Sequence, residues 1–269
     1  MSTITDRLVQ RNPPTTFRMG LSMPLDITQH ALEIEQNRVN WHRKPLLRKV
    51  YERFYHGISK QLVSGTKLEI GSGIGQIKEF IPGCITSDLF LNPGVDQLES
   101  AYFLSFPDSS LNNIILFDVW HHLEYPGAAL SEMWRALAPG GRVVIFDPAM
   151  GIIPRMVYGL FHHEALGFRQ PIHWHPPSSL DLRDAPYFAA QARAWRIFFH
   201  HEDESHLANW RVVECAAWSD FAYLGSGGFS KPSMYPAACL PWVELVDRWL
   251  TWVSRPLFAG RMLIVLEKN

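Results

Sequence analysis

Three closely spaced glycines stand out as residues that could hold a ligand. Gly71, Gly73 and Gly75 alternate with other residues in KLEIGSGIGQIKEF, residues 67–80. Glycine tolerates positive φ and lets the backbone approach a bound molecule, and a helix predicted to begin near Ile74 would add unpaired N–H groups. The stretch therefore predicts a cradle for a nucleotide-type cofactor.

Two histidines are candidates for proton transfer. His121 and His122 follow an apolar strand predicted over residues 114–117, and a histidine can titrate near neutral pH. We predict that this pair lies nearest the reacting group. For His122, a structural hydrogen bond that holds its loop is the alternative.

Most of the other histidines lie later in the chain. Seven of the twelve fall within residues 149–209, and two groups there could be imagined as metal ligands: His162, His163 and Glu164, or His173 and His175. No matching Cys or Asp accompanies them, so we predict no metal site and instead a wall of histidine and aromatic side chains around an acceptor pocket.

The composition excludes several classes of protein. The chain has 269 residues, of which 47% are hydrophobic and 19% are charged, and its net charge is −1. Residues 1–65 carry ten basic and five acidic residues, a net charge of +5 that leaves −6 for the remainder. The overall balance gives no argument for nucleic-acid binding. The basic N-terminal part is explained by a solvated helix face or by a patch for an anionic substrate or membrane surface.

The cysteines and the N-terminus indicate the compartment. Cys84, Cys215 and Cys239 are odd in number and show no CxxC spacing, which argues against a disulfide framework or a zinc site. The first residues lack the apolar core of a signal peptide, and no segment has 18 uninterrupted apolar residues. We therefore expect a soluble, cytoplasmic protein.

Apolar periodicity predicts the elements that position these residues. A loose arm over about residues 1–25 precedes two helices, one capped by Asp26 and one beginning after Pro45. Short apolar strands then alternate with helices up to Pro148, the pattern of a parallel sheet with helices on both faces. After an aromatic-rich stretch, a strand over residues 210–218, a turn over 223–230, a helix over 240–253 and a strand over 261–266 follow.

Two cofactor families compete for the glycine loop. A hydride-transferring dehydrogenase would use G-x-G-x-x-G, whereas here Gln76 follows Gly75 and the pattern is G-x-G-x-G. That pattern resembles the first motif of class I S-adenosylmethionine-dependent methyltransferases. The order of further segments resembles the type 11 methyltransferase-domain family: AYFLSFPDSS at residues 101–110, ILFDVWHHL at 115–123 and RALAPGGR at 135–142.

The resemblance implies roles for individual residues. Asp88 ends the second strand, where the family places the acid that accepts both ribose hydroxyls, as a carboxylate is suited to do. The implied S-adenosylmethionine site comprises these residues: Glu69, Gly71, Ser72, Gly73, Gly75, Asp88, Leu89, Ala101, Tyr102 and Asp118. Two departures from the family pattern, Ser100 for Asp and Ser105 for Pro, concern the segment that lines the adenine.

The implied fold is a Rossmann-like methyltransferase α/β fold with a seven-stranded, mostly parallel sheet and a final antiparallel strand. We divide the chain into an N-terminal arm and helices (1–65), a cofactor-binding core (66–148), an aromatic and histidine-rich insertion after strand five that forms an acceptor lid (149–209), and the C-terminal part of the same domain (210–269).

The sequence predicts a methyltransferase but does not identify its acceptor. A small or lipid-linked molecule is our hypothesis, because the insertion is bulky and aromatic. The alternative is a non-catalytic binding protein that keeps the fold. Trp242, Trp249 and Trp252 in the helix over 240–253 are predicted to pack into the core, with peripheral membrane contact as the other explanation. The oligomeric state stays open.

Overall fold

A computed structural model describes residues 27–161, 164–184 and 188–269. The predicted N-terminal arm, the predicted cap Asp26, and His162 and His163 lie outside these residues. The helices are α1 (Ile27–Arg43), α2 (Pro45–Ser59), α3 (Pro126–Ala136), α4 (Ile152–Phe161), α5 (Phe221–Ser226), α6 (Leu240–Val253) and α7 (Arg255–Phe258). Shorter turns of helix are Gln76–Glu79, Trp120–His122, Leu182–Asp184, Trp195–Phe199, Glu204–Leu207 and Ala237–Cys239.

Seven strands form one sheet. They are β1 (Lys67–Ile70), β2 (Cys84–Asp88), β3 (Gln97–Leu98), β4 (Leu111–Phe117), β5 (Leu137–Pro148), β6 (Trp210–Ser219) and β7 (Ala259–Lys268), in the spatial order β3-β2-β1-β4-β5-β7-β6. The first five are parallel, and β7 runs antiparallel to both β5 and β6. The predicted seven-stranded, mostly parallel sheet with an antiparallel final strand is confirmed.

Both faces of the sheet are covered, which explains the continuous apolar run of β4. Ile114 and Leu116 belong to a core on one face, and Ile115 and Phe117 belong to a core on the other. Alternate side chains of a strand point to opposite faces, so a strand buried on both faces has no polar alternation. Because β1, β2, β4 and β5 are parallel, their carboxyl ends meet at one edge of the sheet.

Helix α2 covers one face beside the glycine loop. Pro45 is at its first turn, and an apolar stripe faces inward: Leu46, Leu47, Val50, Tyr51, Phe54, Tyr55 and Ile58. Burying each of these large side chains contributes about 1.5–3 kcal/mol. The helix ends at Ser59.

The prediction of a helix from Ile74 to Ile81 is wrong. Only the four residues Gln76–Glu79 form a turn of 3₁₀ helix, preceded by Gly75 at φ 73°. Pro82 and Gly83 follow closely, so the segment is too short for several α-helical turns. The loop therefore presents backbone groups without the N-terminus of a full α-helix.

Two C-terminal predictions also change. The turn predicted over 223–230 contains the end of α5, which terminates at Gly227 in the left-handed conformation with φ 75°. The tryptophans of α6 do not pack into the core, since Trp242, Trp249 and Trp252 are 72%, 58% and 82% exposed. The face of α6 that points inward carries Asp247, whose carboxylate accepts hydrogen bonds from Ser219 and from the N–H groups of residues 221 and 222.

Candidate functional site

The glycine loop is held tightly on two sides and is open on the third. A Cβ on Gly71 would lie 2.4 Å from a methyl of Val119, and a Cβ on Gly75 would lie 2.0 Å from the carbonyl oxygen of Gly94. A Cβ on Gly73 would meet no atom within 4 Å, although its φ of 53° also favours glycine. The middle of the loop therefore faces open space, as a ligand cradle requires.

Asp88 lies beside that open position. One oxygen of its carboxylate accepts the N–H of Gly73 at 2.9 Å, and the other accepts the N–H of Leu89 at 2.7 Å. The carboxylate is partly exposed and Leu89 is exposed. The structure thus brings together Gly73, Asp88 and Leu89, three of the residues predicted to bind the cofactor.

Ser72 is placed differently, because its side chain stabilises the loop. Its Oγ donates to the carbonyl of Glu69 at 3.2 Å and accepts the N–H of Ser87 at 3.1 Å, and its N–H donates to the Ser87 carbonyl at 2.8 Å. The side chain is buried. Ser72 therefore couples β1 to β2 beneath the cradle.

Glu69 is an acid buried in β1, with only 1% of its surface exposed. One carboxylate oxygen accepts a hydrogen bond from the Tyr55 hydroxyl at 3.2 Å, while the other is buried with no hydrogen-bond partner among the described residues. Burial raises the pKa of Glu69 to about 7, against the lowering effect of hydrogen bonds from Ser72 and Tyr55. An unsatisfied buried oxygen below a glycine cradle fits the ammonium group of a ligand.

These observations fit S-adenosylmethionine. The open cradle at Gly73, the two-oxygen acceptor at Asp88 and the unpaired oxygen of Glu69 offer complementary groups to an amino acid and a ribose. A pyrophosphate would instead find two carboxylates here.

The segment predicted to line the adenine is a turn between β3 and β4. Ala101 is buried, and the Tyr102 hydroxyl accepts the N–H of Tyr125 at 3.2 Å. The departures from the family pattern have local functions. Ser100 Oγ accepts the Tyr102 N–H at 3.2 Å, and both the N–H and the hydroxyl of Ser105 donate to buried Glu99. Glu99 is thereby engaged within the turn.

Asp118 begins the loop after β4 at a φ of 56°. Its carboxylate pairs with Arg261 of β7, whose side chain is only 2% exposed, and Arg261 also contacts Asp220 at 3.3 Å. The guanidinium stacks over the ring of Tyr223, with 4.5 Å from its central carbon to the ring centroid. Asp118 thus anchors its loop to the antiparallel end of the sheet.

His121 and His122 follow within the Trp120–His122 turn, and the insertion covers them. His121 is 3% exposed, and its Nδ1 is 3.0 Å from Asp147 at the end of β5. His122 Nδ1 is 3.0 Å from the carbonyl of Phe188. The His121 Nε2 and His122 Nε2 atoms are 3.7 and 3.9 Å from the carboxylate of Glu164.

The two histidines differ in proton affinity. Burial alone would lower the pKa of His121, but the Asp147 carboxylate overcomes this effect and raises it above its ordinary value. Burial, together with the neighbouring His121, lowers the pKa of His122 to about 4. His122 is therefore neutral at physiological pH.

The backbone of the insertion fixes this arrangement. The Ala190 N–H donates to the His121 carbonyl at 2.9 Å, and Gln191 donates its side-chain amide to Glu164. Buried Arg193 donates to the carbonyls of residues 123 and 124, and its Nε and Nη2 atoms have no partner among the described residues. The described parts of this region, residues 164–184 and 188–193, consequently form a roof over the loop after β4.

The glycine loop and the histidine pair are neighbours, because the Val119 side chain packs against Gly71 two residues before His121. Sequence reasoning missed Asp147, Arg193 and Arg261. An acid directly at the end of a buried strand was a usable signal for Asp147. Nothing local marks Arg193 or Arg261, whose partners lie about 70 and 143 residues away in the chain.

Comparisons with known proteins agree with this geometry. Residues 88–145 match the family model described as a methyltransferase domain. The demethylmenaquinone methyltransferase of Paenarthrobacter aurescens (strain TC1) is 31% identical over 144 residues, which cover 51% of this chain and 50% of that protein. The chain thus spans about half the length of the curated relative that it matches.

A solved structure shares the fold. A chain from the complex between the Haloferax volcanii Trm112 methyltransferase activator and a candidate methyltransferase is 14% identical, with a TM-score of 0.50 and coverage of 92% of this chain and 100% of that chain. A methyltransferase from Thermotoga maritima has a TM-score of 0.49 at 15% identity, with coverage of 88% and 99%. The first likeness shows the fold alone. With the domain match, the resemblance to S-adenosylmethionine-dependent methyltransferases is confirmed.

Proposed function

We propose that this chain, which carries a methyltransferase domain, transfers a methyl group from S-adenosylmethionine to a small-molecule or lipid-linked acceptor. One observation carries the proposal: the Asp88 carboxylate and the Gly73 N–H converge where the cradle is open. A two-oxygen acceptor at this point matches the two hydroxyls of a ribose.

Each cofactor residue has a part in this proposal. Asp88 accepts from the ribose, the backbone at Gly71 and Gly73 surrounds the amino acid part, and the Glu69 carboxylate faces its ammonium. Gly75 and Leu89 border the same cradle, and Ala101 and Tyr102 line the adenine side. When bound, the cofactor supplies an electrophilic methyl carbon, which bonds to an acceptor lone pair as the carbon–sulfur bond breaks and its electron pair stays on sulfur.

The chain aligns the acceptor and excludes water. A sulfonium is a good leaving group, so catalysis consists mainly of holding the acceptor atom in line, with removal of a proton if the acceptor is a hydroxyl. His121 and His122 are polar groups on the acceptor side, and the described residues of the roof cover them, so that His121 is buried and His122 is partly exposed. Asp118 holds their loop in place through Arg261.

A lipid-linked acceptor is favoured by the outer face of α6. Large apolar side chains spaced three or four residues apart are exposed there: Trp242, Leu245, Val246, Trp249, Trp252 and Val253. Such a stripe suits contact with a lipid surface. By its name, the curated relative acts on demethylmenaquinone, a lipid-soluble quinone. The test is co-flotation of the protein with anionic vesicles. Flotation that is lost in the double variant Trp242→Gln, Trp252→Gln would support a lipid-linked acceptor, and unchanged flotation would contradict it. No helix among the described residues is long and apolar enough to cross a membrane.

Calorimetric titration with S-adenosylhomocysteine tests the cofactor assignment. We expect binding at tens of micromolar or tighter, and Asp88→Ala should weaken it about 100-fold because two charge-assisted hydrogen bonds of about 1.5 kcal/mol each are lost. Asp181→Ala is the matched control, since the hydrogen bonds and ion pair of this exposed carboxylate within the described residues go to Arg183. No binding to the wild type, or equal affinity in Asp88→Ala, would contradict the assignment.

Turnover separates an enzyme from the alternative of a non-catalytic binding protein. Methyl-labelled S-adenosylmethionine is incubated with the protein and with lipid or aqueous cell extracts. Label that moves into an extract only when active protein is present supports methyl transfer, and label in the organic phase supports the lipid-linked acceptor. Tight cofactor binding without any transfer would favour the binding protein.

A further inference from the structure

Three side chains converge beneath the insertion in a way that methyl transfer by itself does not require. His121 Nε2 and His122 Nε2 both face the Glu164 carboxylate, at 3.7 and 3.9 Å. One ligand atom from each residue lies within 4.8 Å of the other two. Two imidazoles and one carboxylate come from two segments more than forty residues apart in the chain.

We propose that His121, His122 and Glu164 bind one divalent transition-metal ion of the zinc or iron(II) class. Two histidines and one carboxylate are a common ligand set for these ions, and three protein ligands leave coordination positions open. The sequence analysis predicted no metal site here; this site shares Glu164 with the group His162, His163 and Glu164 considered there, but its histidines are His121 and His122.

The surrounding groups orient both histidines for this role. Asp147 contacts Nδ1 of His121 at 3.0 Å, and the Phe188 carbonyl accepts from Nδ1 of His122 at 3.0 Å. With the proton of each ring on Nδ1, the lone pair lies on Nε2, the atom that faces Glu164. Metal-binding histidines typically have such a carboxylate or carbonyl behind them. The side-chain amide of Gln191 donates to Oε2 of Glu164, the carboxylate oxygen that faces His121.

The distances require only a small contraction. Bonds of about 2.0–2.2 Å at tetrahedral angles place ligand atoms about 3.4 Å apart. The present separations of 3.7 and 3.9 Å exceed that value by a few tenths of an ångström. These two separations run to different oxygens of the Glu164 carboxylate, and the two imidazole nitrogens lie within 4.8 Å of each other.

A second grouping, Asp118, His121 and Asp147, is weaker. Its ligand atoms also lie within 4.8 Å of one another, but it offers one imidazole instead of two. The Asp118 carboxylate is already paired with buried Arg261. We therefore assign Asp147 as the residue that positions His121 and not as a metal ligand.

The metal site goes beyond the proposed function and stands independently of it. If the chain transfers methyl groups, an acceptor oxygen could occupy an open coordination position, because a metal ion lowers the pKa of a bound hydroxyl. The histidines would then act through the metal, and the proton of the hydroxyl would pass to solvent. Only this consequence rests on the proposed function.

Metal titration without cofactor tests the site. Protein stripped with a chelator is titrated with Zn²⁺ by calorimetry and with Co²⁺ by visible absorption. We expect one equivalent of Zn²⁺ per chain at micromolar affinity or tighter. Glu164→Gln and His122→Gln should each weaken binding at least tenfold, and Asp147→Asn should weaken it about 10–100-fold.

Glu204→Gln is the matched control, because Glu204 forms an exposed pair with His201 at 3.3 Å in the same insertion. Its affinity should equal that of the wild type. Binding of less than one equivalent, or equal affinities in Glu164→Gln and Glu204→Gln, would overturn the proposal. Thermal melting of each stripped variant verifies folding, and His122→Gln decides the outcome if Glu164→Gln fails to fold. Because no cofactor is present, absence of methyl transfer leaves this result unaffected.

Discussion

The two sides of the proposed methyl-transfer site, which we call the cofactor side and the acceptor side, are built in different ways. The cofactor side is assembled from residues 67–105, mostly through backbone groups: the glycine loop, the end of β2 and the turn that follows β3. The acceptor side is assembled from side chains far apart in sequence, among them His121, Asp147, Glu164 and Arg261. The first side depends on local geometry, and the second depends on the tertiary fold.

This difference predicts which kinds of substitution disrupt each side. A backbone cradle is sensitive to an added Cβ or to loss of either of its two carboxylates, Glu69 and Asp88. A cluster of buried charged side chains is sensitive to removal of any one partner, because the others are left unpaired away from water. The following variants test whether the two sides respond in these separate ways.

Arg261→Met should have the largest effect. The change leaves the carboxylates of Asp118 and Asp220 without their shared cation, and we expect the free energy of unfolding to fall by about 3–5 kcal/mol. Urea denaturation measures this. The double variant Arg261→Met, Asp220→Asn should recover part of the loss.

Arg211→Met is the control for this variant. Arg211 pairs with Glu267 from an exposed position on β6, so its loss should cost about 1 kcal/mol or less. Equal effects of the two arginine variants would contradict the claim that the acceptor side depends on a buried ion cluster.

Glu69 should give the cofactor side a distinctive pH dependence. Burial raises the pKa of Glu69 from its ordinary value of 4.5 to about 7 in the folded chain. The folded state therefore binds the proton more tightly than the unfolded state does. The free energy of unfolding therefore falls as pH rises from about 4.5 to about 7, by on the order of 3 kcal/mol in total.

Glu69→Gln removes this contribution. Its stability relative to the wild type should rise across the same pH range and then stay level, as measured by urea denaturation at several pH values. Affinity for S-adenosylhomocysteine should also lose its dependence on pH in this range. Parallel stability curves for wild type and variant would show that folding leaves the pKa of Glu69 unchanged, which would contradict this prediction.

Gly73→Ala should have a small effect on stability and a selective effect on binding. Gly73 and Gly140 have φ of 53° and 72°, and a Cβ on either would meet no atom within 4 Å. Each alanine should cost about 1–2 kcal/mol through the left-handed backbone. Only Gly73→Ala should also weaken S-adenosylhomocysteine binding, by tenfold or more. Equal binding in the two variants would place the ligand elsewhere.

Sequence patterns predicted well those features that depend on short-range geometry. The seven-stranded sheet followed from alternating apolar strands and helices together with the family resemblance, and the proximity of Asp88 to Gly73 followed from their positions at neighbouring strand ends. Both depend on short-range geometry, in which residue type and spacing carry the information.

The remaining features depend on contacts that spacing does not encode. Glu164 meets His121 and His122 only because the insertion folds back over β4, and Arg261 meets Asp118 because β7 enters antiparallel beside β5. The tryptophans of α6 fit a core pattern by periodicity alone. They point outward because Asp247, on the opposite face, binds the N-terminus of α5.

A crystal structure with S-adenosylhomocysteine bound would test most directly whether the two sides form one methyl-transfer site. We predict that the ribose hydroxyls contact Asp88 and that the thioether sulfur faces the Trp120–His122 turn. A nucleoside bound away from Gly73 and Asp88, or a sulfur directed away from His121 and His122, would contradict a single site.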